Sequence, residues 1–212
     1  DASIRAAGAP GLVERFGAFS VGVTAAYGVL AAAVYARRPQ HPLVRWWLAI
    51  AALSAFSNLA WTFGLLGEWA DWPIPGATWW LWLGGWIWVP VYWLIPTVMF
   101  ALTPDGRLPS ARWNPLMWVV GAAITISAIG WLLLPPSMSD TPEVFPPGYT
   151  APFPSWTGAG VLLVVGAAFG VVAVAMSVTA LVQRYRGAAA LERAQLRWLV
   201  LGAAGTIACL AL

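Results

Sequence analysis

The sequence has no lysine, one histidine and one cysteine, and only 9% of its 212 residues are charged. An ordinary globular domain carries roughly 25% charged residues, so this chain cannot clothe a surface that faces water on all sides. Cys209, alone and inside the last apolar block, has no disulfide partner and no metal-ligand spacing around it, and it reads as a small buried residue. His41 lies in a Pro-flanked turn with no cysteine or carboxylate beside it, which argues against a metal or haem ligand set, and no dimerisation helix surrounds it to make it a phosphoacceptor. No Gly-rich phosphate loop, Ser/His/Asp set or paired carboxylates occur, so neither a catalytic residue nor a cofactor is expected. Ionisable residues are also missing from the centre of every long apolar block, which disfavours an ion-coupled transporter or proton pump.

What is present is apolar: 60% of the residues are hydrophobic, gathered in blocks of about twenty, the length that spans a hydrocarbon core of roughly 30 Å. The blocks run from about Phe16 to Tyr35, Trp46 to Leu66, Ala77 to Leu102, Leu116 to Leu134, Gly158 to Val182, and from Arg197 to Leu212, where the sixth is cut short. The fold class expected is therefore all-α, a polytopic transmembrane helix bundle forming one domain over residues 1–212. Pro90 and Pro96 predict a kink or tilt in the third block. The segment from Pro135 to Trp156 carries seven prolines and reads as a polar surface loop.

Orientation follows from arginine. Counting alternate connections puts Arg37, Arg38, Arg45, Arg107, Arg112, Arg184, Arg186, Arg193 and Arg197 on one side, against Arg5 and Arg15 on the other. Arginine excess marks the cytoplasmic side, which predicts a multi-pass plasma-membrane protein with its N-terminus and the 135–156 loop outside. The basic residues are thus topology signals and not a nucleic-acid surface. The same alternation makes the sixth block run outward, so a cytoplasmic domain after Leu212 would need a further span.

Nine of the sixteen tryptophans fall between Trp61 and Trp93. Trp69, Trp72, Trp79 and Trp80 suit an aromatic belt at the outer boundary. Trp79, Trp82, Trp86 and Trp93, flanked by Trp88 and Tyr92, form a helical stripe that either fills space between helices or lines a pocket for a small apolar, aromatic or cationic ligand under the Pro-rich loop. Asn58, with Ser54 and Ser57, is an interhelical hydrogen-bonding group or a ligand contact. Gly166 and Gly170 have the small-residue spacing of a helix–helix contact, which a homodimer could use. Arg184, Arg186, Arg193 and Arg197, with Leu191, Leu196 and Trp198, suit an interfacial segment that touches anionic headgroups or relays motion inward, and Arg107 and Arg112 belong to the same face.

Three stretches carry a family likeness: Arg38-Pro39-Gln40-His41-Pro42; Trp86-Ile87-Trp88-Val89-Pro90 continuing to Leu102-Thr103-Pro104-Asp105-Gly106-Arg107-Leu108-Pro109-Ser110-Ala111-Arg112-Trp113; and Leu191-Glu192-Arg193-Ala194-Gln195-Leu196-Arg197-Trp198-Leu199. In this order they resemble the N-terminal membrane region of actinobacterial sensor histidine kinases. The resemblance implies the input domain of a two-component system. Its parent would continue into at least one more span, a phosphoacceptor dimerisation helix and an ATP-binding kinase domain, and it would reach a response regulator only through those parts. No catalytic residue carries over to this chain. The competing expectation is a non-catalytic accessory subunit that binds lipid or partner helices through its tryptophan-rich face.

Overall fold

A computed structural model of the protein describes residues 12–69, 72–139, 145–146 and 148–188, with side chains from residue 21 onward. Every regular element among them is helical: α1 (Leu12–Arg37), α2 (Pro42–Trp69), α3 (Ala77–Gly84), α4 (Val89–Leu94), α5 (Phe100–Leu102), α6 (Asn114–Leu133) and α7 (Ala159–Gly187). Among the described residues four segments are long and apolar enough to cross a membrane: Pro42–Trp69, Ala77–Leu102, Ala111–Leu133 and Ala159–Gly187. This is the architecture of a multi-pass membrane protein. The portion Val21–Arg37 of α1 is apolar but shorter. The sixth expected span, 197–212, lies outside the described residues, as do Arg193 and Arg197.

The helix limits follow from local chemistry. Pro42 opens α2, where its missing N–H costs nothing and its fixed φ suits a first turn. Pro115 does the same for α6. That helix ends at Leu133 because Leu134 must turn extended (ψ 128°) ahead of Pro135. Arg184 and Arg186 occupy the last turn of α7, the end at which the helix dipole favours cations. Helices α2 and α7 both outrun the apolar blocks by several residues at the arginine-bearing end, because a helix keeps its hydrogen bonds after it leaves hydrocarbon.

The third span is broken, as its prolines predict. Between α3 and α4 the chain makes a turn over 85–88, in which Val89 N–H reaches back only to Trp86 O at 3.0 Å. Between α4 and α5 a widened, π-type turn runs from Ile95 to Met99 around Pro96, the kind of irregularity that kinks a helix. Thr97, fully buried in that turn, donates its hydroxyl to Trp93 O at 2.5 Å. Ser177 likewise donates to Ala173 O at 2.8 Å, so these buried hydroxyls are satisfied within their own helices.

Helix α1 packs on α2, α2 on α3, and α6 on α7. The main core lies toward the arginine end and joins Leu43 and Ile50 of α2, Leu94, Val98 and Leu102 of the third span, Leu116 and Val120 of α6, and Ala173 of α7. A smaller cluster, Leu65 and Leu81 with Trp61, Phe145 and Tyr149, closes the other end. Backbones come closest at glycines. A Cβ on Gly64 would lie 2.4 Å from Leu81 Cα, and one on Gly84 would lie 2.7 Å from Trp61 N, which fixes the α2–α3 crossing. The outward surface is valine, phenylalanine and tryptophan: Val161, Val164 and Val171 of α7 and Trp118 of α6 are more than three-fifths exposed, as lipid-facing residues are.

Candidate functional site

The two ends of the bundle carry different chemistry. At the tryptophan end, α6 stops with carbonyls that have no helical partner, since Pro135 and Pro136 have no N–H to offer. The Trp82 indole donates to Leu132 O at 3.2 Å, and Trp156 N–H donates to Leu133 O at 2.8 Å. The first of these bonds ties the third span to α6, and the second ties the far end of the Pro-rich loop to it. Phe153 of that loop stacks on Trp82 with ring centres 5.7 Å apart and planes 16° from parallel. Tyr149 stacks on Phe145, which meets Trp61 edge-on. The Tyr149 hydroxyl points at Thr78 O, 3.4 Å away, and the Thr78 hydroxyl bonds the Glu68 carboxylate. Burial first, and the Glu68 carboxylate second, push the Tyr149 phenol well above the usual tyrosine range.

Two members of the expected aromatic stripe, Trp82 and Trp93, meet α6. Trp79 touches Trp82 and Trp82 touches Trp86, both edge-on at 5.7 and 5.9 Å. Trp88 gives its N–H to Gly85 O at 3.0 Å, the carbonyl that the turn leaves open, and its ring to Trp131. Trp93 donates to Ser127 Oγ at 3.2 Å, and its ring fills the notch over Gly170, where a Cβ would come within 2.0 Å of it. Trp82 and Trp93 are thus engaged in interhelical packing, while Trp79 and Tyr92 are more than half exposed on the outer surface. The Trp86 Nε1 atom is buried without an acceptor among the described residues. Asn58 bonds back to Ser54 O at 2.8 Å, inside its own helix.

The small-residue spacing of Gly166 and Gly170 is used inside the chain. A Cβ on Gly166 would lie 2.3 Å from Ser127 Oγ and 2.8 Å from Ser127 N. Both glycines are buried, Gly166 against Ser127 of α6 and Gly170 against Trp93 of the third span, so both take part in close approaches within the chain.

At the arginine end one side chain gathers the loop after α5. Arg184 Nη1 donates to Thr103 O at 2.6 Å and to Asp105 Oδ1 at 2.8 Å, and its Nη2 donates to Arg107 O at 2.5 Å. The Arg184 side chain is 9% exposed, so one planar fork is nearly enclosed by the loop it holds. Arg112 bonds Gln183, one residue before Arg184. The loop also abuts the α1–α2 hinge: Gly106, at φ 78°, lies so close to Pro42 that a Cβ would come within 2.7 Å of its ring. Arg107, Arg112 and Arg186 are exposed. Of the candidate arginines, Arg184 is thus a structural clamp, and Arg107 takes part through its backbone. Sequence reasoning missed the partners Asp105 and Gln183, although Asp105 stands inside the Pro104-Asp105-Gly106-Arg107 part of the second likeness stretch. Among the described residues no three His, Cys, Asp or Glu side chains gather as a metal site. No family model, curated protein or solved structure matches the chain.

Proposed function

We propose that this chain is the membrane-embedded input domain of a sensor histidine kinase of the plasma membrane, with its arginine end in the cytoplasm and its N-terminus outside. The observation that carries the reading is the Arg184 clamp. Two of the three stretches that bear the resemblance, the hinge at Arg38–Pro42 and the loop at Leu102–Trp113, meet at Gly106 and Pro42. The last turn of α7, which leads toward the third stretch, holds that loop through three acceptors. A stimulus that shifts the third span at the tryptophan end moves the loop, and the loop moves the end of α7. Such transmission requires two packings that a stimulus binds unequally.

The test is to extend the reading frame past Leu212, place the whole product in membranes and supply labelled ATP. The expected result is an acid-labile phosphohistidine whose yield changes in Arg184→Ala. A product with no kinase segment and no phosphate overturns the reading in favour of an accessory subunit. Orientation is checked separately by labelling a cysteine introduced at Ser110, which should react only from the cytoplasmic side.

A further inference from the structure

Among the described residues, the arginine end holds more positive charge than its acidic side chains neutralise. Arg37, Arg38, Arg45, Arg107, Arg112, Arg184 and Arg186 all lie there, and Asp105 is the only acidic side chain among the described residues at that end. Its carboxylate is taken by Arg184, in the one ion pair among the described residues at that end. Seven arginines less one aspartate leave a net charge of +6 there among the described residues, and the six arginines other than Arg184 are all exposed.

The C-termini of α1 and α7 favour Arg37, Arg184 and Arg186 in their last turns, but two helix N-termini at the same end act the other way. Helix α2 and helix α6 both start at this end, and neither has an acidic residue in its first turn. In α2 the first N–H groups are capped by His41, through Nδ1 to Leu43 at 3.4 Å and through its carbonyl to Val44 at 3.1 Å, but both are neutral acceptors, so the partial positive charge of the helix end lacks the Asp or Glu that normally offsets it. In α2 the first turn instead contains Arg45, a cation where the helix favours an anion. Like charges this dense repel one another unless anions are held nearby.

The height of the ring on the bundle says which anions these are. Trp118, one turn into α6 from Arg112, is 82% exposed, and an indole so placed marks the boundary between hydrocarbon and headgroups. His41 lies parallel to the Trp47 ring at 6.3 Å at the start of α2, the other helix that begins at this end. The arginines therefore stand where lipid phosphates stand.

We infer that the arginine end is a binding surface for anionic phospholipid headgroups, with Arg37, Arg38 and Arg45 of the hinge at its centre and Arg107, Arg112 and Arg186 around it. The headgroup phosphates supply the negative charge that the first turns of α2 and α6 lack. This surface is independent of the kinase reading, since it needs only the charge and its height in the bilayer. Each arginine near an anionic surface raises partition about fivefold. Neutralising three of them should cut selective retention by on the order of ten- to a hundredfold.

The test uses the full chain in nanodiscs of phosphatidylcholine alone or of phosphatidylcholine with phosphatidylglycerol. The retained lipids are weighed by native mass spectrometry, and unfolding temperature is followed in the same discs. The expected result is preferential retention of phosphatidylglycerol and a higher Tm in its presence, both lost in R37Q/R38Q/R45Q and both unchanged in Glu68→Gln at the opposite end. Where the triple variant is poorly folded, Arg45→Gln alone should reduce the preference about fivefold. Equal retention of the two lipids by the native protein overturns the inference, as does a preference that survives neutralisation. Inorganic phosphate added to phosphatidylcholine discs should leave Tm unchanged; a rise matching that of phosphatidylglycerol assigns the surface to soluble phosphate and overturns the lipid assignment.

Discussion

A methyl group added at Gly166 should destabilise the fold, while the same methyl at Gly160, six residues earlier on the same face-to-face helix, should not. At Gly166 the new Cβ would lie 2.3 Å from Ser127 Oγ, 2.8 Å from Ser127 N and 3.1 Å from Ser127 Cα. Carbon reaches its optimum against other heavy atoms at roughly 3.5–4.0 Å, so the two helices must separate by roughly an ångström. No rotamer change relieves it, because two of the three atoms are backbone. Separation loosens the α6–α7 seam at Leu163 over Gly130 and disturbs the adjoining contact of Trp93 of the third span over Gly170. Overpacking of this kind costs about 1–3 kcal/mol, and the gain of alanine over glycine in a helix returns about 1 kcal/mol. Gly160 has nothing within 4 Å of its Cβ position, so Gly160→Ala collects that gain with no clash. The two variants should therefore differ by about 1–3 kcal/mol, with Gly166→Ala the weaker. Unfolding in mixed micelles with rising dodecyl sulfate, followed by tryptophan fluorescence, measures the difference. A Gly166→Ala protein as stable as Gly160→Ala would refute the account of the seam.

Arg184→Lys keeps the charge but loses the planar fork that reaches three acceptors, so hydrogen exchange at Gly106, whose N–H bonds Leu102 O at 2.7 Å, should speed up; unchanged exchange would mean the loop holds itself. The Tyr149 phenol has a raised pKa, so its contribution to stability is present below the usual 10.0 and is lost as pH rises above that, where the unfolded phenol ionises first. An alkaline stability titration should therefore fall less steeply in Tyr149→Phe, and Glu68→Gln should lower the midpoint of phenolate absorbance. Phe153→Ala removes half of a stacked pair whose exposed member is 46% accessible, and should cost less than about 1.5 kcal/mol. Trp82→Leu also strips the bond to Leu132 O and should cost more in the same denaturation assay; equal costs would mean that the indole N–H contributes nothing.

Four of the six expected spans appear among the described residues, legible because each is a run of apolar residues as long as the bilayer is thick, and Pro90 and Pro96 announced the broken one. Which faces meet was not legible. A span that is apolar all round gives periodicity no polar side to work with, so nothing in the sequence pairs Gly64 with Leu81 or Gly130 with Leu163. The arginines were legible as a class, but not the separate fate of Arg184. Its partners Thr103 and Asp105 lie 81 and 79 residues away, and only the fold brings them within reach. Tryptophan spacing marked out the stripe, of which Trp82 and Trp93 reach α6, whereas Phe153, a lone aromatic among loop prolines, carried no spacing signal that tied it to Trp82.

Trp93 over Gly170 has a consequence for how this protein can change over time. The largest side chain stands where its partner has none, so the two positions share a single allotment of volume. Enlarging position 170 forces the indole out, and shrinking position 93 leaves a hole that no neighbour fills. Neither substitution is tolerable first, unless the other follows or the seam is already weak. Homologous chains should therefore show the two positions varying together, large with small or intermediate with intermediate. Position 127, which holds the indole N–H, should be released from serine only where position 93 is no longer tryptophan.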